Sequence, residues 1–359
     1  MIKNRIGIVT VIVAVAALSL AGVSYARSSF DEVDYPVRAL AGAVKVDVYE
    51  NIVEYGFIDT TGKLVIPCEW DGLGGGFSEG LAPVEKDRKY GFINGTGKLV
   101  IPCEWDTAYE FSEGLARVEK DGKWGYIDTT GKLVIPCEWD DVQKFSEGLA
   151  PVEKDGKWGY IDATGNLVIP CEWDRGIGFN EGFALVRKDG KTGNIDTTGK
   201  LVIPCEWNYA AEVSEGLRPV SKDGKHGSID RKFGYIDTTG ALAIPYQYDW
   251  AYEFNEGLAI VQIGKKRGYI NTTGKLVIPC EWDYAVDFSE GLAPVEKDGK
   301  WGYIDTTGKL VIPCEWDDAY NFSEGLARVE KDNKYGFIDT EGNLVIPCEW
   351  DEVTSFSAI

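Results

Sequence analysis

The sequence predicts an all-β fold of tandem units of about 34 residues, each an antiparallel meander, stacked face to face like propeller blades. Three observations carry that reading. A motif returns nine times, turn signals sit at fixed places inside it, and the strands between the turns are apolar on both faces. Whether the stack closes into a ring or stays an open curved array is not decided by these observations.

The composition fits. At 359 residues the chain exceeds the size of one ordinary hydrophobic core, so it either divides or repeats. Hydrophobic residues make up 44% and charged residues 26%, which is globular. Its 43 Gly and 12 Trp suggest many turns and large packing side chains. The formal charge of −21 argues against nucleic acid, which needs a basic patch, and against adhesion to anionic lipid. Acidic side chains also keep a repetitive β protein soluble and apart.

The first element is a targeting signal. Lys3 and Arg5 precede an apolar run from Ile6 to Val23, and Ser24 and Ala26 place small residues at −3 and −1. This is the layout of a secretory signal peptide over residues 1–26, cleaved after Ala26; an uncleaved membrane anchor is the alternative. Residues 27–39 read as a linker. The expected location is secreted, periplasmic or in the cell envelope, with no membrane insertion after cleavage.

The repeats occupy 40–359. A Gly follows an aromatic or similar residue at positions 56, 91, 125, 159, 193, 234, 268, 302 and 336. The steps are 34 or 35 residues except one of 41, between Gly193 and Gly234. There His226-Gly227-Ser228-Ile229-Asp230 starts a copy that Phe233-Gly234-Tyr235-Ile236-Asp237 starts again, so 227–233 is an irregular insertion. Kept in the ladder, an odd insertion would invert every later side chain. The expectation is that 233–237 hold the strand and 226–232 loop out.

The Trp-Gly-Tyr-Ile-Asp, Leu-Val-Ile-Pro and Phe-Ser-Glu-Gly-Leu-Ala-Pro-Val blocks resemble the bacterial WG (KWG) β-repeat family over nearly the whole mature chain. The namesake Trp is replaced by Tyr55, Tyr90, Thr192, Phe233, Arg267 and Tyr335, and the Cys-Glu-Trp after the Pro is a further departure. The resemblance implies β-repeat units of exported and other bacterial proteins. It brings no catalytic residues and no ligand.

Within the fourth unit, Asp155-Gly156 marks a two-residue hairpin, and Asp-Thr-Thr-Gly in the third marks a three-residue loop closed by a left-handed glycine. Strands are therefore expected at 149–154, 157–162 and 166–173, with a short fourth strand within 174–182. Simple alternation puts Ala150, Val152, Gly159, Ile161, Leu167, Ile169, Cys171 and Trp173 on one face. Pro151, Trp158, Tyr160, Val168 and Pro170 fall on the other. The shared Gly would leave room for a neighbour's ring. The chain stops at Phe356-Ser357-Ala358-Ile359, without the next Glu-Gly-Leu-Ala strand, so no strand exchange between the ends is expected.

Residues that could carry chemistry are few. Cys68, Cys103, Cys137, Cys171, Cys205, Cys280, Cys314 and Cys348 recur once per unit, with Tyr246 in the remaining copy. Face-stacked sheets lie about 10 Å apart, too far for a bridge, so buried free thiols and no disulfides are expected. No Cys-x-x-Cys pair exists and the single His226 stands alone, which speaks against a metal centre. Glu-Trp-Asp and Ser-Glu-Gly could be read as catalytic carboxylate pairs, but equivalent copies argue against one active site. No catalytic residue and no cofactor is expected. Trp70, Trp105, Trp139, Trp173, Trp207, Tyr248, Trp282, Trp316 and Trp350 recur at one place and are the candidate ligand-binding residues, if they reach a rim where a sugar or peptide could stack. Packing between units is their other reading. The functional expectation is a non-enzymatic scaffold outside the cytoplasm that binds a protein or peptide. The alternative is a carbohydrate or cell-wall binding module; an enzyme is the third reading.

Overall fold

The computed structural model describes residues 39–47, 52–221 and 232–358. The signal segment, residues 27–38 and all of the insertion up to Arg231 lie outside the described residues, as does His226.

Each unit folds locally through its turns. In the fourth, Leu149–Lys154 pairs with Lys157–Asp162 across Asp155 and Gly156, whose φ values of 51° and 74° make a type I′ hairpin. Asp162 then accepts the backbone N–H and hydroxyl of Thr164 and the N–H of Asn166, fixing the loop into Leu167–Trp173. A short first strand, Asp141–Val142, completes the sheet. The insertion resolves as expected where it is described, since Phe233–Asp237 is the strand and Val220 pairs with Gly234.

The fourth strand, Leu167–Trp173, does not alternate simply. Ile161 pairs with Leu167, Tyr160 with Ile169 and Trp158 with Trp173, so extra residues bulge out at 168 and again at 170–172. This corrects the expected faces. Ile169 and Trp173 join Leu149, Trp158 and Tyr160 on the face toward the fifth blade, while Cys171 stays with Ala150, Val152 and Ile161 toward the third. It also corrects the reason for the repeated glycine. A Cβ on Gly159 would lie 2.5 Å from the carbonyl oxygen of Ile169 and 2.8 Å from the nitrogen of Cys171. The glycine admits the bulged backbone of its own sheet, not a neighbour's ring.

Nine four-stranded sheets form in this way, and they make a nine-bladed propeller. The ring is closed by both ends of the chain, which overturns the expectation of no strand exchange. Ser357–Ala358 pairs with Ala39–Asp47 in the first blade. Thr354 donates its N–H to the Gly42 carbonyl and accepts the Gly42 N–H on its hydroxyl. Val353 and Phe356 fill the first blade's core beside Ala39 and Ala41. A full extra strand is unnecessary because first strands elsewhere are only two to six residues long. The described chain enters this blade at Ala39, one residue before the expected boundary.

The core lies between blades, where apolar faces meet. At eight junctions a Tyr or Phe of one blade packs edge-on or tilted against a Phe of the next; Tyr160 and Phe179 are 5.1 Å apart between centroids. Polar latches repeat alongside. Between the fourth and fifth blades, Ser146 donates to the Phe179 carbonyl at 2.6 Å and Glu147 accepts the Gly182 N–H at 2.9 Å. The Tyr160 hydroxyl donates to the Ile177 carbonyl at 2.9 Å. Asp174 accepts both the Lys157 ammonium and the Asp189 N–H. Much of the repeated acidity is therefore structural, because these carboxylates are caught on backbone N–H groups at blade junctions.

Candidate functional site

The repeated tryptophans do not stand at a rim. Trp105, Trp173, Trp282 and Trp316 are 4% exposed, and Trp70, Trp139, Trp207 and Tyr248 are buried with them; Trp350, beside the closure, is half-buried. The bulge at 170–172 turns Trp173 into the junction, where the next blade's Lys188 lies over it at 5.2 Å; Lys120, Lys154, Lys297 and Lys331 lie likewise over Trp105, Trp139, Trp282 and Trp316. Stacking a sugar on these faces would require parting the blades. What reaches solvent is a groove beside the ring edge. Two equivalent grooves, of about 460 and 400 Å³, are lined by Trp70, Lys86 and Cys103 and by Trp139, Lys154 and Cys171.

Among the described residues the eight cysteines form no disulfide. Each is half-buried, shallower than expected because the bulge lifts the Cys toward the sheet edge. Burial raises the pKa of Cys103, Cys137, Cys171, Cys205, Cys280, Cys314 and Cys348, so they are poor nucleophiles. Among the described residues no cluster of three or more His, Cys, Asp or Glu is placed to hold a metal ion.

The symmetry breaks elsewhere. The segments that hold the first strands face the inside of the ring: Gly76, Glu110, Lys144 and Ser355, from four blades, line one cavity of about 490 Å³. These residues share one repeat position, immediately before the Phe. Around the ring that position continues as Gly178, Glu212, Glu253, Asp287 and Asn321. Three consecutive blades thus present three carboxylates. Burial raises Asp287 to about 6, with Glu253 adding to the rise. Burial and then Glu253 also raise Glu212, against the opposing pull of Lys144. One oxygen of Asp287 and the amide oxygen of Asn321 are buried without a hydrogen-bond partner. No sequence motif pointed to this arc. The signal was available as a column of the repeat in which the side chain changes from copy to copy.

A second break lies between the fifth and sixth blades. At the places of Trp158 and Tyr160 the fifth blade has Thr192 and Asn194, and the sixth has Val213 for Phe and Arg218 for Ala. Arg267, in the seventh blade, instead stacks 3.5 Å over Tyr284 and donates to the Ala285 carbonyl, a packing role.

Comparison with known proteins agrees with this geometry. The WG containing repeat matches nine times, at 55–90, 90–124, 124–158, 158–191, 193–225, 233–266, 268–301, 301–335 and 335–358. No curated protein matches by sequence. Among solved structures, a eukaryotic initiation factor superposes with a TM-score of 0.62 at 11% identity, covering 90% of this chain and 98% of that one. An uncharacterized protein of Listeria monocytogenes gives 0.39 at 12% identity, covering 64% and 89%. At these identities the likeness to the initiation factor concerns the fold alone.

Proposed function

This chain belongs to the WG-repeat family, and we propose that it is a non-enzymatic interaction protein that receives a basic segment of a partner protein at the inner face of its ring. The observation behind this reading is the arc of Glu212, Glu253 and Asp287. Unlike the repeated latch residues, these carboxylates repel one another, and Asp287 keeps a buried oxygen unpartnered. A lysine or arginine side chain relieves the repulsion and meets that oxygen. The glycan alternative loses the exposed rings on which it rested. A place outside the cytoplasm rests on the charged start, apolar run and small residues of 1–26. N-terminal sequencing of the exported protein should begin at Arg27; intact Met1 there would overturn that part.

The binding test uses a fluorescent oligolysine peptide. Affinity should rise from about pH 5 to about pH 7 as Asp287 ionises, and fall sharply in a Glu253→Gln/Asp287→Asn variant. Equal binding of oligoglutamate, or an unchanged variant, would contradict the reading.

A further inference from the structure

The junction between the fifth and sixth blades contains a charge that its surroundings do not answer. In the other eight junctions an aromatic residue of one blade packs in one cluster with an alanine of the next, as Tyr160 does with Ala184 and Tyr126 with Ala150. Here the corresponding residues are Asn194 and Arg218, 1% and 0% exposed. The sequence thus places a guanidinium and a carboxamide together inside an otherwise apolar seam.

Part of this is structural replacement. Arg218 donates from Nη2 to the Ala211 carbonyl at 2.7 Å. That carbonyl corresponds to Ile177, which takes the Tyr160 hydroxyl one junction earlier. The arginine from one side has assumed the tyrosine's hydrogen bond from the other. The replacement is incomplete, however. Nε and Nη1 of Arg218 and Oδ1 of Asn194 are buried without a partner. Burial lowers the guanidinium to about 10, so it remains charged at neutral pH. Unanswered buried donors of a charged group are costly, and an unpaired buried amide adds to the cost. The seam also holds less apolar bulk, since Thr192, Asn194 and Val213 stand where rings stand elsewhere.

We propose that this seam is a binding site for a small carboxylate ligand, held by the free Nε–H and Nη1–H of Arg218 and by the carboxamide of Asn194. A carboxylate supplies the planar pair of acceptors that a guanidinium prefers. The carboxamide offers either its oxygen to a ligand donor or, turned over, its NH₂ to a second carboxylate oxygen. The site lies one residue from the ring's inner face, because Ala211 directly precedes Glu212. It is separate from the carboxylate arc and takes the opposite charge.

The test compares thermal unfolding of the intact protein in sodium acetate and in sodium chloride at equal ionic strength. Acetate should raise the Tm of the wild type in a saturating, concentration-dependent way. Asn194→Asp places a carboxylate inside the seam; it should raise the Tm without ligand and abolish the acetate response. Restoring the repeat with Asn194→Tyr and Arg218→Ala should also abolish the response. Equal shifts in acetate and chloride, or an acetate response that persists in Asn194→Asp, would overturn the proposal.

Discussion

Between the fourth and fifth blades the apolar core contains Trp158, Tyr160, Ile169, Trp173 and Phe179 with their neighbours; between the fifth and sixth it shrinks to Ile203, Trp207, Val220 and Ile236. The sheets on both sides share one pairing order, the same bulge and the same type of Ser or Asn latch, with Asn180 donating to the Val213 carbonyl at 2.8 Å; the sixth blade differs in its five-residue strands Leu217–Ser221 and Phe233–Asp237. The pairing order and the bulge are therefore not what separates the two seams. The difference lies in a few side chains, and it shows that the blade tolerates the loss of its rings where a partly bonded arginine replaces them. Positions kept in every copy build the ring, and positions that change carry whatever is particular to this protein.

The largest effect should come from making the strong seam resemble the weak one. Tyr160→Asn removes a fully buried ring and its bond to Ile177 without supplying an arginine, and should cost about 3–5 kcal/mol in equilibrium denaturation. A smaller loss would mean that the rings contribute less than their burial suggests. A control should not distinguish the seams. Gly159→Ala and Gly193→Ala each bring a Cβ within 2.5 Å of a carbonyl oxygen in the fourth strand of their own sheet, so each should cost about 2 kcal/mol, and equally. Unequal losses would place the bulge, not the seam, at the origin of the contrast.

Electrostatics can be isolated from packing at Asp287. Its folded pKa is raised to about 6, so the folded protein holds this proton more tightly than the unfolded chain. The contribution of this group to stability is greatest at acid pH and declines as pH rises from about 4 to about 6. Asp287→Asn should raise stability above pH 6 by about 1–2 kcal/mol, allowing for its partial exposure, and change little near pH 4. A gain at both pH values would point to packing. The smallest change is expected from Asp174→Asn at the strong seam, because both partners of the ion pair are partly exposed and salt screens it. A Tm shift there as large as that of Tyr160→Asn would make the latches, and not the rings, the main support.

The sequence made the repeat, the hairpins and the strand limits readable, because Asp-Gly turns and alternation are local signals. It hid the face of Trp173, since a bulge between 170 and 172 depends on how two strands settle against Gly159 and leaves no mark in a pattern of period two. It hid ring closure for a similar reason. Val353 to Ser357 look like an unfinished unit until Ala39 to Gly42 lie beside them. The carboxylate arc was missed because Glu212, Glu253 and Asp287 are about 34 to 41 residues apart, unremarkable among 58 acids, and meet only when the blades converge. Arg218 was missed because one arginine in a strand gives no hint that it lies at 0% exposure.

Hydrogen–deuterium exchange resolved by peptide tests the central claim most directly, that equivalent blades are held equally except at the seam where rings gave way to Asn194 and Arg218. Amides of Lys191–Asp196 and Leu217–Ser221 should exchange before those of Lys123–Asp128 and Leu149–Lys154, which occupy the same places in the third and fourth blades. Uniform protection around the ring, or first opening at the closure of Ala39–Asp47 with Ser357–Ala358, would contradict it.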